Sequence, residues 1–287
     1  MAGPARVAVY LDFDNLVISR YDDIHGSGRW RKDNARASSP SSGGENPVAG
    51  KLEAATVDIG AIIDYASSFG TVALTRAYAD WSVPANAAYQ RQLVDRAVDL
   101  VQLFATSGTK NGADIRLSID AVDDLFQHTD ISHVVIAGGD SDYIPLAQRC
   151  KRTGRFVVGI GVDGSISRAL VAACDEFRTY NDLPDVTPAT PVAEVAAETP
   201  RARRRSSRRS PEDQAGQLLV RAIRVGMEKS DDGWLNSGGV KSQMQRLDST
   251  FKEKSLGHSS FRAFVESHDD LVDTKVLDNG QLAIRLA

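Results

Sequence analysis

The first 183 residues alternate short apolar runs with amphipathic helical patterns, and this alternation restricts the fold more than any other feature of the chain. Apolar runs of this length predict buried strands. They occupy Val7–Asp12, Thr71–Tyr78, Leu100–Ala105, Val134–Ala137 and Phe156–Gly161, with a short edge strand at Arg178–Tyr180. Strands that alternate with helices predict a parallel sheet covered by helices on both faces, an α/β fold.

The predicted helices between these strands follow from apolar spacings of three and four residues. Ile115, Ile119, Val122 and Phe126 form one such stripe, the pattern of a helix packed on a core. Further helices are predicted from Ile59 to Gly70 and over Ala87–Val98, Tyr143–Thr153 and Ser165–Asp175, the last with Ser165 as its N-cap.

Carboxylates directly follow two of the predicted strands. They are Asp12 and Asp14, with Asn15, after the first strand, and Asp140 and Asp142 after Val134–Ala137. Because the carboxyl ends of parallel strands meet at one edge of the sheet, we expect these side chains to lie together. Clustered carboxylates repel one another unless protons or a cation neutralise them, and all-oxygen sites favour Mg²⁺ or Mn²⁺. The sequence therefore predicts a divalent metal site for phosphoryl chemistry.

Two further aspartates lie on the helix of the Ile115 stripe. Asp114 begins that helix and is a candidate metal ligand, although the helix dipole alone also favours an acid there. Asp120 follows after about 600° of helical rotation, so we expect only Asp114 to bind the metal. Asp120 is expected to contact the site from the side or to position Lys110, and Asp123 and Asp124 are expected to be solvated. No histidine accompanies the acids, which favours water activated by the metal as the nucleophile.

Two polar segments interrupt the pattern. The stretch from about 21 to 55 is rich in Ser, Gly and Arg and has too few apolar residues to pack a core of its own. We expect a flexible insertion, either an ordinary surface loop or a flap over the acidic edge. Residues 184–211 read as a disordered linker with several prolines and six arginines between Arg201 and Arg209, within a chain of net charge −4. That arginine run is either a solvated tether or a nucleic-acid contact.

Residues 212–287 predict a second, smaller domain. Three amphipathic helices precede strands at Leu271–Leu277 and Gln281–Leu286, which flank the hairpin-turn signal Asp278-Asn279-Gly280. Three helices followed by a hairpin predict a winged-helix domain. Its basic residues favour a binding face, and a structural or dimerisation domain is the alternative.

Three motifs in this order resemble the NYN domain of the PIN-like nuclease superfamily, which includes LabA-like bacterial proteins. They are Leu11-Asp12-Phe13-Asp14-Asn15, then Lys110-Asn111-Gly112-Ala113-Asp114 with Ile119-Asp120, then Ala137-Gly138-Gly139-Asp140-Ser141-Asp142-Tyr143. The resemblance covers roughly Arg6 to Leu183 apart from the insertion, within a predicted domain of residues 1–183. It implies a three-layer α/β/α, Rossmann-like sheet and Mg²⁺- or Mn²⁺-dependent cleavage of RNA. It places the catalytic and metal-binding pocket on Asp12, Asp114, Asp140 and Asp142, supported by Asn15 and Asp120.

The C-terminal region resembles an OST-HTH/LOTUS domain over Gly233–Lys254, Phe261–Phe264 and the final hairpin. This resemblance implies RNA binding, to single-stranded or structured RNA, or docking to a partner protein. The candidate RNA-binding residues are Lys110, Arg203, Arg204, Arg205, Lys241, Arg246 and Arg262.

Three functions fit these patterns. The first is a metal-dependent ribonuclease, which hydrolyses phosphodiester bonds at the aspartate cluster. The second is a non-catalytic protein that binds RNA or a regulator through residues 201–287. The third is a phosphatase of the haloacid-dehalogenase type, with Asp12 as nucleophile and Asp14 as acid, although Asn15-Leu16 departs from that family's pattern.

The remaining sequence features bear on the cellular environment. Cys150 and Cys174 lie in apolar surroundings and are expected to be buried, reduced thiols. A signal-peptide pattern and an apolar run of membrane-spanning length are both missing. We therefore expect a cytoplasmic protein without a membrane partner, and the oligomeric state is left open.

Overall fold

The computed structural model describes residues 4–40, 46–104, 112–184, 186, 211–227, 233–248, 251–277 and 281–287. The chain divides into two compact units, Met1–Ala193 and Glu194–Ala287. The division falls within the segment predicted as a linker at 184–211. Most of that segment, with Arg203, Arg204 and Arg205, lies outside the described residues, so the linker and the domain limits at 183 and 212 stay predictions.

The first unit is built on a sheet of six parallel strands. They are β1 (Arg6–Asp12), β2 (Thr71–Ala79), β3 (Asp99–Gln102), β4 (His133–Ala137), β5 (Phe156–Gly161) and β6 (Glu176–Thr179). Their order in the sheet is β3-β2-β1-β4-β5-β6. The chain adds β2 and β3 on one side of β1 and then crosses to β4 on the other. The order therefore reverses between β1 and β4, and ligands bind at such a switch point.

Helices cover both faces of this sheet, which confirms the predicted α/β fold. They are α1 (Phe13–His25), α2 (Arg29–Lys32), α3 (Pro47–Ala54), α4 (Ile59–Ser67), α5 (Pro84–Ala87), α6 (Gln90–Val94), α7 (Gly112–Gln127), α8 (Ile144–Arg152) and α9 (Arg168–Ala173). Short 3-10 helices occupy Ala35–Ala37, Ser141–Tyr143 and Tyr180–Asp182. In β1, Val9 and Leu11 join the core that contains α1 and α4, and Ala8 and Tyr10 join the core that contains α7 and α8. The strand is buried on both faces, as its unbroken apolar run predicts.

The face that α7 buries differs from the predicted one. Its buried residues are Leu117, Ala121, Asp124 and Leu125. Ile115, Ile119 and Phe126 are instead 56%, 60% and 61% exposed. Most of the predicted stripe is therefore exposed, and only Val122 of its four residues packs, partly buried, against the core.

Asp124 explains this orientation of α7. Its Oδ2 accepts a hydrogen bond from the Tyr10 hydroxyl at 3.1 Å and pairs with Arg76 Nη1 at 2.8 Å. A buried carboxylate is tolerated only when it is paired in this way. Because Tyr10 and Arg76 lie on β1 and β2, they fix the side of α7 that faces the sheet. Asp124 is thus a buried residue and not the solvated acid that the sequence predicts.

Two helix boundaries also differ from the prediction. The helix predicted over Ala87–Val98 is instead the end of α5 followed by α6, and between them the Tyr89 side chain turns into the core, where its hydroxyl accepts from Val57 N at 3.0 Å. Ser167, not Ser165, caps α9, with its side chain accepting from Leu170 N. The Ser165 hydroxyl instead donates to the Val162 carbonyl at 2.8 Å within the preceding turn.

The described part of the insertion, residues 21–40 and 46–55, has helical structure and a small core. Tyr21, Ala35, Leu52 and Ala55 are buried together with Val83 and Ala85. The segment packs this small core with the help of Val83 and Ala85 from the chain after β2, which agrees with the expectation that it has too few apolar residues for a core of its own. Whether the segment is flexible or covers the acidic edge stays a prediction.

The second unit contains α10 (Pro211–Met227), α11 (Ser237–Leu247) and α12 (Phe261–Glu266), with a 3-10 helix at Glu253–Leu256. Strands β7 (Leu235–Asn236), β9 (Leu282–Leu286) and β8 (Val272–Val276) form an antiparallel sheet in the order β7-β9-β8. The arrangement confirms a winged-helix-like domain, although β7 is too short for the sequence to predict. Residues 278–280, the predicted turn, lie outside the described residues.

Two general expectations can be compared with the structure. Cys150 and Cys174 are buried and form no disulfide, as predicted. Among the described residues, no helix is both long and apolar enough to cross a membrane.

Candidate active site

Asp12 lies at the switch point of the sheet, where β1 ends and α1 begins. Its side chain is only 3% exposed. Oδ1 accepts a hydrogen bond from Asn15 N at 3.1 Å, so Asp12 is the N-cap of α1. Oδ2 accepts from the Tyr143 hydroxyl at 2.7 Å. Both oxygens are thus held in place by the chain itself.

The end of β4 meets the end of β1 through backbone that carries no side chain. Leu11 pairs with Ala137, so Asp12 and Gly138 are the next residues on neighbouring strands. A Cβ atom on Gly138 would lie 3.2 Å from the Asp12 Cβ and 3.0 Å from the Tyr143 ring. The next residue, Gly139, donates its N–H to Asn15 Oδ1 at 3.3 Å. The glycines therefore allow the two acidic motifs to approach this closely.

Asp140 and Asp142 lie on the turn that follows. Asp140 caps the 3-10 helix Ser141–Tyr143, since its Oδ1 accepts from Asp142 N at 3.2 Å and from the Ser141 hydroxyl at 3.3 Å. The Asp142 side chain is exposed. The turn also buries Tyr143 completely, so one short segment supplies both the carboxylates and the hydroxyl that holds Asp12.

Asp114 approaches the same place from the first turn of α7. Burial raises the pKa of its carboxyl, the Tyr143 hydroxyl opposes this as a hydrogen-bond donor, and the charges of Asp140 and Asp142 raise the pKa further. The charges of Asp140 and Asp142 therefore act on Asp114, and the proposal that the three share one metal site stays a prediction.

Burial and the charges of the site shift the pKa of Asp12. Burial raises it to about 7, the hydrogen bonds from Tyr143 and Asn15 oppose this rise, and the charges of Asp114 and Asp14 add to it. Burial and the carboxylates of Asp12 and Asp114 raise the pKa of the Tyr143 hydroxyl, so it remains a donor at neutral pH. An acid with a pKa this far from its usual value is typical of functional sites.

The donor set suits a hard divalent cation, because every candidate ligand is a carboxylate oxygen. In the described part of the chain, however, no three His, Cys, Asp or Glu side chains are already arranged to hold a metal. The type of ligand therefore suits Mg²⁺ or Mn²⁺, but the side chains would have to move closer together to bind the ion.

Asp120 lies beside these carboxylates and contacts β2, the strand next to β1. It accepts a hydrogen bond from the Tyr78 hydroxyl at 3.2 Å and pairs with Arg116 Nε at 2.9 Å. Tyr78 is opposite Asp12 in the β1–β2 register. Its supporting role at the site stays a prediction, and Lys110, which it was expected to position, lies outside the described residues.

A second polar group at this edge was missed by the sequence analysis. Asp14 accepts from Asn86 Nδ2 at 2.6 Å and from Asp80 N at 3.3 Å. Burial raises the pKa of Asp14 despite these bonds. Asp80 itself pairs with Arg36 of the insertion at 2.7 Å. One signal was available, since Asp80 comes two residues after the predicted strand Thr71–Tyr78.

The three candidate RNA-binding residues of the second unit have polar partners there. Lys241 Nζ pairs with Glu253 at 2.6 Å, and Arg262 Nε pairs with Glu266 at 2.7 Å. Arg246 is exposed and donates to the neutral Gln243 at 3.5 Å. Their binding role stays a prediction.

A further basic and aromatic cluster in this unit was not predicted. Lys275 Nζ lies 4.1 Å from the centre of the Trp234 ring, and the Arg285 guanidinium lies 4.7 Å from it. Asp273 pairs with Arg285 at 2.7 Å, which offsets part of the positive charge.

Comparison with known proteins yields two family matches. The profile of the NYN domain matches residues 6–181, and the profile of the OST-HTH/LOTUS domain matches residues 209–284. None of the curated proteins compared matches the chain. The crystal structure of a protein of unknown function from Vibrio parahaemolyticus, VPA0982, has 18% sequence identity and a TM-score of 0.44, covering 62% of this chain and 94% of that one. On the family matches, the chain belongs to the NYN family of the PIN-like nuclease superfamily and carries an OST-HTH/LOTUS domain after its NYN domain.

Proposed function

We propose that this protein is a metal-dependent ribonuclease that hydrolyses RNA phosphodiester bonds at the sheet edge, with its OST-HTH/LOTUS domain holding the RNA. One observation carries the proposal most strongly. The buried Asp12, whose pKa is raised to about 7, lies at the switch point of the sheet, and the negative charges of further carboxylates act on it. Such a group of oxygens attracts a divalent cation, which would neutralise it.

The residues of the chain would have different roles at this site. Asp12 and Asp140 would be the main ligands, with Asp114 and Asp142 completing the set. A bound divalent cation would supply Lewis-acid activation of water and stabilisation of the leaving oxygen. Tyr143 would hold one oxygen of Asp12, and Asn15 would fix the Gly139 backbone, so that both motifs keep their spacing.

A phosphatase that uses Asp12 as its nucleophile is disfavoured by the geometry. Asp14, the acid in that mechanism, is bound to Asn86 and to the Asp80 backbone. A non-catalytic RNA-binding role is the remaining alternative, and cleavage assays distinguish the two.

The test is cleavage of labelled single-stranded RNA by the full chain with Mn²⁺, with Mg²⁺ and with excess chelator. We expect turnover by the wild type that chelation stops and that the double variant Asp12→Asn/Asp140→Asn loses. Asp95→Asn is the matched control, because it removes an exposed carboxylate paired only with Arg91. Equal cleavage by wild type and double variant, or RNA binding with no turnover under either ion, would remove the nuclease proposal.

The RNA-binding role has a separate measurement. Since Arg246 lacks an acidic partner in the contacts above and Lys241 and Arg262 have one, Arg246→Ala is expected to weaken RNA binding more than either of the other two alanine variants. Affinity measured at several salt concentrations checks this, because a lost phosphate contact lowers the salt dependence.

A further inference from the structure

The exposed face of α7 carries a row of apolar side chains, of which Val122 also packs against the core of the first unit. Ile115, Ile119 and Phe126 are more than half exposed, and Val122 between them is half-buried. On a helix these four positions fall within about 60° of one another, so they form one continuous stripe. Beyond its end, Arg149 lies 5.6 Å from the centre of the Phe126 ring. Contiguous apolar surface of this kind marks an interaction site.

The spacing of the stripe is symmetric about its middle. The four residues are separated by four, three and four positions, so the midpoint falls between Asp120 and Ala121. If a second α7 lies antiparallel on the first, Ile119 meets Val122 of the other copy and Ile115 meets Phe126. A two-fold axis through the midpoint therefore buries all four side chains of both copies against one another.

The charged residues beside the stripe have the same symmetry. Arg116 and Asp123 lie on one flank of α7, about 20° apart around the helix and about 10 Å apart along it. In the antiparallel pair, Arg116 of one copy comes within about 3 Å along the axis of Asp123 of the other. This happens twice, once at each end. Within one chain, Arg116 pairs with Asp120 at 2.9 Å and Asp123 accepts from Gln127 at 2.5 Å.

We propose that the stripe on α7 is the interface between two copies of this chain, packed antiparallel about a two-fold axis. The self-complementary spacing and the matching flanking charges favour a second copy over other occupants. Nucleic acid is disfavoured because the stripe itself is apolar and offers no cation of its own to a phosphate. A helix of this length is about 24 Å long, and one helix pair buries less surface than a tight interface requires. The dimer is therefore weak and concentration-dependent.

The pairing has a consequence for the acidic edge. Asp114 lies on the first turn of α7, about 10 Å along the axis from the midpoint. The two-fold axis places the two Asp114 residues on the same side of the helix pair, about 20 Å apart along it. The dimer would therefore present two copies of the candidate site to one side. The dimer itself does not depend on the proposed nuclease activity.

Sedimentation of the full chain tests the proposal from about 1 µM to about 1 mM, the range of weak association. The wild type is expected to shift from monomer to dimer within it, and Ile119→Asp is expected to weaken dimerisation at least tenfold. Val94→Asp is the matched control, since Val94 is 62% exposed on α6 and away from the stripe. Circular dichroism should show all three chains equally folded.

The flanking charges give a second, independent readout. Arg116→Glu alone and Asp123→Arg alone should each weaken the dimer, and the two changes together should restore it, because the pairs between copies re-form with reversed charges. Cysteines introduced by Ile119→Cys and Val122→Cys should form a disulfide between copies under mild oxidation, whereas Val94→Cys should not.

Two results would overturn the proposal. One is a wild type that stays monomeric at every concentration, including the case in which the second unit of the same chain covers the stripe. The other is a dimer that Ile119→Asp leaves unchanged, which would place the interface elsewhere.

Discussion

Replacing the buried Asp12 with asparagine should make the protein more stable at neutral pH while it removes the proposed activity. The carboxyl has a pKa of about 7 in the folded chain against an ordinary value of 3.8, chiefly because of burial. Between these two pH values the folded state binds the extra proton, so stability falls as pH rises. The gap corresponds to about 4 kcal/mol, which the wild type loses between about pH 4 and pH 7.

Asparagine avoids this loss and keeps the local contacts. It is as good an N-cap as aspartate, so its oxygen can accept from Asn15 N. Its amide can donate to the Tyr143 hydroxyl oxygen, which leaves the hydroxyl proton directed at Asp114. In a chain of this size the gain corresponds to a rise in melting temperature on the order of 10 °C at pH 8.

The assay is calorimetric unfolding of wild type and Asp12→Asn in chelator, from about pH 4 to about pH 8. The two melting temperatures should be similar near pH 4 and separate as pH rises. Asp95→Asn, an exposed change outside the site, should show no such separation. A constant difference across this range, or a less stable Asp12→Asn at pH 8, would refute the electrostatic description of the site.

Three further predictions follow from other contacts. Tyr143→Phe removes a hydrogen bond that lowers the pKa of Asp12, so that pKa should rise above about 7 and the acidic limb of the RNA-cleavage profile should move to higher pH. Gly138→Ala places a methyl group 3.0 to 3.2 Å from Tyr143 and Asp12, so it should cost about 1–3 kcal/mol in urea unfolding and reduce cleavage. Asp124→Ala leaves Arg76 facing the core without its carboxylate, so it should cost about 3 kcal/mol with the pH profile of cleavage unchanged.

Each of the three has an outcome that contradicts it. An unmoved acidic limb in Tyr143→Phe would separate that hydroxyl from the titration of Asp12. Gly50→Ala, where nothing lies within 4 Å of the added methyl, is the control for Gly138→Ala and should be neutral. If the two alanine variants behave alike, the close approach at Gly138 has no energetic importance. A neutral Asp124→Ala would mean that this carboxylate does not fix the orientation of α7.

The sheet and its acidic edge were predictable because both follow from short-range patterns. Strands such as β1 and β5 are buried on both faces, so their apolar residues form unbroken runs that are easily distinguished from helices. Once the strands are placed, the rule that parallel strands end at one edge puts Asp12, at the end of β1, beside Gly138, at the end of β4, without further information.

The errors arose where long-range partners decide the outcome. The sequence of α7 has apolar residues on two faces, and the choice between them depends on Arg76 and Tyr10, which pair with Asp124 from other strands. The role of Tyr143 was missed for a similar reason. Its hydroxyl contacts Asp12, 131 positions earlier in the chain, and a tyrosine after an acidic motif carries no signal of that contact.

A crystal of the full chain soaked in Mn²⁺ tests the central claim most directly, because anomalous scattering locates the ion independently of any activity. The account predicts one strong peak at the ends of β1 and β4, about 2.1 Å from carboxylate oxygens of Asp12 and Asp140. Crystals of Asp12→Asn should lack it. A soaked wild-type crystal with no peak at this edge, or with Asp12 still bound to Tyr143 and Asn15 and the ion elsewhere, would contradict the account.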